Sequence, residues 1–420
     1  MMRKNILLSK FLSLGWISCI GDALYYLALM TYAATLENPA LGILVITIST
    51  TLPNLIGLLL GTVADSVKNK IKRITQAGIF RGIIFIAIGL IINQTTDLWG
   101  LLLIGLLNAL SDTAGSFSAF LKSPFLRLAS KEEELEQWVG LDQSVRGAID
   151  GIAGFFGVLL LGILGVYYLA FFNAFLFFTV SLGFQLLAKK FKPIEGQMAP
   201  STLTSTKDFT SHLLQSVKTL LTIKTLRNFL LVAAAANALL ASAVPVILMA
   251  FTHHPNQLLY NFELSITVGK AGILAVAIAA GLVGPKYCKN IGTTATLLMA
   301  MGGMLSFAVV LSLGQVWLAF GTLFLSVFAA TMFSVRFSSL LMKSVPVETL
   351  GSISGGVSLF SRVLPIPVTL VLNSLAAVSL QLYGIAAAVL AVGIALLILI
   401  LKFDKMDLTE TVTNLKMLSR

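Results

Sequence analysis

The stretch Gly61–Arg73 reads GTVADSVKNKIKR. An apolar run, Leu55 to Leu60, leads into it, and another apolar run follows it. Between them stand one glycine, one aspartate and four cations, Lys68, Lys70, Lys72 and Arg73. A tight turn between two membrane-spanning helices has this pattern, with its cations holding the turn on the cytoplasmic side.

The rest of the chain fits such a turn. Of 420 residues, 57% are hydrophobic and only 11% are charged, where soluble domains carry about a quarter. Most of this chain is therefore solvated by lipid. A span takes roughly 20 apolar residues, and twelve can be drawn: 9–33, 41–64, 74–92, 98–121, 139–163, 166–187, 228–250, 263–284, 292–313, 315–342, 350–376 and 381–401. The net charge of +11 then belongs to loop cations, and no nucleic-acid partner is expected. The first segment contains Asp22 and is long enough to span, which suits a retained helix better than a cleaved signal. Cys19 and Cys288 are read as reduced thiols.

The cations test this drawing. Of the 29 lysines and arginines, 24 fall at the N-terminus, in alternate loops or in the tail. The loops on the opposite side, around Glu37–Asn38, Asn93–Trp99, Gly165, His253–Phe262, Gly314–Gln315 and Ser379–Gln381, have none. Both termini are thus expected in the cytoplasm. The expectation is an all-α membrane protein of twelve transmembrane helices in two six-helix halves, 1–187 and 229–401. A cytoplasmic middle loop, 188–228, joins them, and a cytoplasmic tail, 402–420, follows. The region Phe209–Leu226 is weakly amphipathic and is expected to lie on the membrane surface as a helix.

The halves echo each other. Gly61-xxx-Asp65 before Lys68-Asn69 closes the second segment, and Gly281-xxx-Pro285 before Lys289-Asn290 closes the eighth. The loops Leu126–Gly140 and Lys343–Gly351 each carry acids and end in a glycine that opens a helix. Matched halves six spans apart are the sequence trace of a transporter built from repeats.

These residues resemble the major facilitator superfamily along the whole chain. Gly61, Asp65, Lys70, Lys72 and Arg73 are similar to its cytoplasmic loop motif, with the cations spread over two extra positions and the second glycine missing. Ile17–Tyr25 (ISCIGDALY) and Val345–Gly351 (VPVETLG) resemble the macrolide-efflux branch of its drug:proton antiporters. The resemblance implies two bundles rocking around a central cavity in the plasma membrane. It also implies that Asp65 meets the start of helix eleven near Gly351 in one state, as a conformational switch, since a helix N-terminus attracts an aspartate. Pro285 replaces the acid in the second copy, which is expected to be an anchor alone.

The remaining five cations, Arg81, Arg146, Lys270, Arg336 and Arg362, fall within spans. So do Asp22, Asp112 and Asp150, while Asp142 and Glu263 lie nearer span ends. An unpaired charge costs at least about 2.5 kcal/mol at the bilayer centre, which makes such residues functional candidates. Asp22, with Tyr25 one turn on, is a candidate proton or cation site. Asp112 lies in mid-span beside Asn108 and Ser111. Arg146 and Asp150, four apart, can pair on one face of a helix whose Gly147, Gly151, Gly154 and Gly157 admit a close neighbour. Arg336, at the centre of its span, and Arg362, before Pro365 and Pro367, are candidates for substrate or counter-charge. Lys270 either joins the cavity or reaches the outer face. Arg81 is expected to be structural, reaching the cytoplasm or Asp65.

No phosphate-binding loop is present, and the acids Glu132–Glu136 are expected to form a solvated face. The His253–His254 pair reads as a solvated loop rather than a metal site. The reading is thus not an enzyme and implies no cofactor. It is a proton-coupled exporter of an amphiphilic small molecule, a monomer in the bilayer. Spare in-span cations would suit an importer or facilitator of an anionic metabolite instead, and a sensor or scaffold that keeps the fold without transport is a third possibility.

Overall fold

A computed structural model describes residues 5–34, 39–92, 94, 98–198, 206–222, 224–401 and 403. Several elements of the sequence reading lie outside them: Arg3 and Lys4, the Glu37–Asn38 turn, most of Asn93–Trp99, residues 199–205 of the middle loop, Lys402 and the tail from 404. The side chains of His212 and Glu263 are outside them too.

The described chain is helical throughout. The helices are α1 (Ile6–Ala34), α2 (Pro39–Leu55), α3 (Gly57–Ser66), α4 (Lys70–Ile92), α5 (Leu98–Ala129), α6 (Leu135–Glu195), α7 (Thr206–Thr222), α8 (Lys224–His253), α9 (Phe262–Tyr287), α10 (Thr293–Ser312), α11 (Val316–Ser344), α12 (Leu350–Val363), α13 (Pro365–Val378) and α14 (Leu380–Leu401). Among the described residues ten helices are long and apolar enough to cross a membrane, or eleven if the bent pair α2–α3 is one span. Helices suit that solvent because each satisfies its own backbone. Bulky apolar side chains on the outside, such as Leu186 and Ile400 at 70% and 75% exposure, would be a liability in water and are ordinary against lipid.

The breaks have local causes. Pro53 lacks an amide hydrogen, and α2 and α3 meet at Ile56 with a 49° bend. At the Pro365–Pro367 pair the helix is interrupted only at Leu364, whose φ of −59° and ψ of −34° remain helical, so α12 runs on into α13 as one stretch. Within α6 the helix breaks at Gly165, whose φ of 74° suits a residue without a Cβ. That glycine is the expected turn between segments 139–163 and 166–187. The amphipathic stretch of the middle loop is helical as α7.

The chain forms two compact units. One comprises Met1–Leu135, Ala148–Lys218 and Val345–Leu359; the other comprises Glu136–Gly147, Thr219–Ser344 and Phe360–Arg420. Each unit therefore borrows a short segment from the other half of the sequence. In the first unit α4 packs on α5, and α5 on α2 and α3. Its core joins Tyr25, Phe85, Ile88 and Phe177, and a second aromatic group unites Phe11, Phe125, Phe184 and Phe191. In the second unit α10 packs between α11 and α14, and α8 against α13. Phe229 stacks on Phe333 and Phe337 there.

Candidate functional site

The first unit holds a buried polar cluster. Arg81 stands eleven residues into α4, about 16 Å along its axis, and is 4% exposed. Its guanidinium donates from Nη2 to Asp22 Oδ1 on α1. Nη1 donates to Ser18 Oγ at 3.2 Å, and Nε to Ser111 Oγ on α5 at 3.2 Å. The group lies over the Phe177 ring, 4.0 Å from its centroid, which adds a cation–π attraction. Gly115 leaves room for it, since a Cβ there would lie 3.1 Å from Arg81 Cζ.

A second acid sits beside this pair. Asp112 Oδ2 accepts from Asn108 Nδ2 at 3.2 Å, and the same amide donates to Ser49 Oγ on α2 at 3.1 Å. Asp112 lies within electrostatic reach of both Asp22 and Arg81. One guanidinium thus bonds one carboxylate and lies within electrostatic reach of a second, with one negative charge in excess when both are ionised. Arg81 is sealed in, while the Asp22 side chain keeps 38% exposure. Arg81 is therefore not a partner of Asp65 or a residue reaching the cytoplasm. It is the centre of this cluster, because Asp65 is bound elsewhere. The depths were readable in principle. Counted from helix starts on one side, Asp22 lies about 24 Å and Arg81 about 16 Å in, a gap that a long arginine spans.

Tyr25 faces the other way. It is 1% exposed and meets Phe85 edge-on in the core, so it is a packing residue and not a cavity group. Asp150 is exposed, and its Oδ1 lies 3.9 Å from Cys19 Sγ.

The turn Gly61–Arg73 has its own geometry in this unit. Asp65 is 2% exposed. Its Oδ1 accepts from the Gly351 amide and its Oδ2 from the Ser352 amide, both at 2.7 Å. These amides open α12, where the helix leaves donors unpaired and partly positive. The contact between Asp65 and helix eleven implied by the resemblance is present. Glycines permit it. A Cβ on Gly61 would lie 2.1 Å from Gly351 O, and one on Gly355 would lie 2.1 Å from Gly57 O. Lys70 is buried and donates from Nζ to Ala64 O at the end of α3, while Glu195 Oε1 accepts from the Ile71 amide at 3.1 Å. Lys70 is thus a helix cap, whereas Lys68, Lys72 and Arg73 are exposed. Arg127 donates to Val345 O, with Glu132 and Glu348 within electrostatic reach.

The second unit contains the matching crossing. A Cβ on Gly140 would lie 2.2 Å from Gly281 O and 3.0 Å from Pro285 Cγ. Ser144 Oγ donates to Ile278 O at 3.1 Å. The Gly281–Pro285 copy, expected to be an anchor alone, is thus also a helix contact. A close approach falls at Gly140, whereas at Gly147 a Cβ would meet open space; the surroundings of Gly154 and Gly157 lie outside what is described.

The other cations are accounted for locally. Arg146 Nε donates to Asp142 Oδ2 at 2.9 Å, a partner one turn before Asp150. Arg336 donates to the carbonyls of Ile291 and Cys288 and to Thr296 Oγ1, with Glu136 Oε1 3.6 Å from its Nε. These bonds tie it to the loop before α10. It also gives Glu136, expected on a solvated face, a partner. Lys270 and Arg362 are exposed. The in-span arginines Arg81, Arg146 and Arg336 are thus engaged, and the argument from them for an anionic cargo falls away.

No family model and no curated protein matches the chain. Solved structures do. It is similar to a bacterial homologue of the iron transporter ferroportin in its outward-facing state, with 14% identity over 94% of this chain and 99% of that one and a TM-score of 0.66. It is similar to the human organic anion transporter MFSD10, at 14% identity, coverage of 93% and 99%, and a TM-score of 0.66. The transporter FucP in its outward conformation matches with 15% identity, coverage of 96% and 99%, and a TM-score of 0.65. The chain has the all-helical fold of the major facilitator superfamily transporters.

Proposed function

We propose that the protein is a secondary transporter that exports an amphiphilic small molecule by alternating access, driven by protons. In this reading the chain spans the plasma membrane twelve times, with α2–α3 and α12–α13 each forming one bent span and α6 contributing two. Both termini are cytoplasmic, and the halves 1–187 and 229–401 rock about a substrate cavity. Export, drug-like cargo and the proton as coupling ion follow the resemblance to the efflux branch.

The observation that carries the reading is the pair of aspartates around one buried arginine. Charge in an apolar bundle is costly unless it is balanced. With Arg81 fixed, a proton on either Asp22 or Asp112 brings the cluster to neutrality, and its release restores one negative charge. Asp22 is the part-exposed acid bonded to Arg81, and Asn108, itself bonded to Ser49, holds Asp112.

Flux in liposomes with an imposed pH gradient tests this. Accumulation of cargo should follow the gradient. Asp22→Asn and Asp112→Asn should each reduce gradient-driven accumulation at least tenfold while leaving insertion intact. Flux that ignores the gradient, and is unchanged in both variants, would rule out the proton mechanism. No flux of any tested compound would favour a sensor.

A further inference from the structure

The second unit carries an open cavity of about 590 Å³, within the size range of small-molecule sites. Its polar lining comprises Gln143, Ser144, Asn237, Thr331 and Ser334, and apolar residues such as Leu240 and Leu323 form much of the rest. None of its lining residues carries a charge. The nearest expected contributors are committed elsewhere: Arg146 to Asp142, and Arg336 to a loop and Glu136.

The polar groups differ in readiness. The Gln143 amide is fixed by α11: its Nε2 donates to Ser338 Oγ at 3.1 Å, and Ser334 Oγ donates to its Oε1 at 3.4 Å. Ser144 is spent on Ile278 O. The Asn237 amide and the Thr331 hydroxyl make no hydrogen bond among the described residues. The cavity thus offers an apolar body with a few neutral donors and acceptors, and no counter-charge.

We infer that this cavity binds an uncharged amphiphile, whose apolar part fills the space and whose hydroxyl, carbonyl or amide group bonds Asn237 and Thr331 beside the oriented Gln143. A charged headgroup would find no counter-charge among these lining residues, and any water it gave up against them would go uncompensated. The inference deepens the proposed function, and rests on it only in treating the bound molecule as cargo.

The test uses the full-length protein in nanodiscs and three dansyl-labelled octyl chains, ending in an amide, a trimethylammonium or a sulfonate, with empty nanodiscs subtracted. The neutral probe should saturate one site and bind at least tenfold tighter than either charged probe. Ala241→Trp, which places an indole at a lining position, should weaken it at least tenfold. Asn237→Asp should improve binding of the cationic probe at least tenfold, a gain that misfolding cannot produce. Equal or tighter binding of a charged probe to the unaltered protein overturns the inference. So does neutral binding that Ala241→Trp leaves unchanged. Flux of the neutral probe in liposomes separates the two claims. Saturable cavity binding without flux sinks the transporter reading alone, and flux indifferent to Ala241→Trp sinks the cavity alone.

Discussion

Asp65 and Lys70 lie five residues apart in one short turn, yet they do different work. Asp65 is buried and accepts two amides of α12. Hydrogen bonds to a charged group contribute about 1.5–3 kcal/mol, so losing the charge shifts a two-state balance by roughly 10- to 100-fold. We predict that Asp65→Asn lowers flux at least tenfold with normal insertion, because the state containing this contact loses its clasp. Counting loop charges makes any of the four cations look replaceable, but burial says otherwise. Lys72→Gln changes an exposed residue and should leave flux within twofold. Lys70→Gln removes a cap on Ala64 O and should fall between the two. Flux measurements on the three variants at matched expression check the order. Equal loss in Asp65→Asn and Lys72→Gln would reduce the turn to a topology anchor. Arg81 belongs at this scale too. Arg81→Gln leaves Asp22 and Asp112 facing each other without a cation, so flux should drop at least tenfold, whereas Arg81→Lys keeps the charge and should recover part of it.

At the scale of elements, the two close crossings depend on absent side chains. α3 meets the start of α12 through Gly57, Gly61, Gly351 and Gly355, and α6 meets α9 through Gly140 and Gly281. An alanine at Gly61 would put a methyl against a backbone carbonyl, which cannot swing aside as a side chain can. Overpacking of this kind costs about 1–3 kcal/mol. We predict that Gly61→Ala and Gly140→Ala each reduce flux at least tenfold. Gly302→Ala meets open space on α10, and should keep flux and raise thermal stability slightly, since glycine in a helix interior is the worse residue. Flux and detergent melting curves on the three variants decide this, and a Gly61→Ala protein with full flux would remove the crossing from the mechanism. The repeat was legible here as Gly61-xxx-Asp65 and Gly281-xxx-Pro285. The pairing of those glycines with Gly351 and Gly140 needed the structure, because a small residue records only that something comes close. Asp22 and Asp112 stood out in sequence by their cost in lipid. Arg81 did not join them there, because sequence order says nothing about which helices are neighbours.

At the scale of the molecule, the sequence argument for topology rests on a physical asymmetry. Cations resist translocation, and 24 of 29 lysines and arginines sit at one set of loops and the termini, with none at the other. The helices agree on where the chain turns: at Gly165, at Gly314 with φ of 76°, and at the 3₁₀ turn Pro255–Gln257. Which side each turn faces is a matter of electrostatics during insertion, and the folded chain alone carries no membrane. The native Cys288 provides a test, since it lies at the end of α9 beside Lys286 and Lys289, in a loop assigned to the cytoplasm. Asn256→Cys marks the cation-free turn on the other side. In intact cells an impermeant thiol reagent should label a Cys19→Ser, Cys288→Ser, Asn256→Cys protein strongly. It should label the Cys19→Ser protein, which retains Cys288, at least tenfold less until the membrane is permeabilised. Labelling of Cys288 from outside at the rate of Asn256→Cys would invert the charge argument and, with it, the direction assigned to every proton and cargo step.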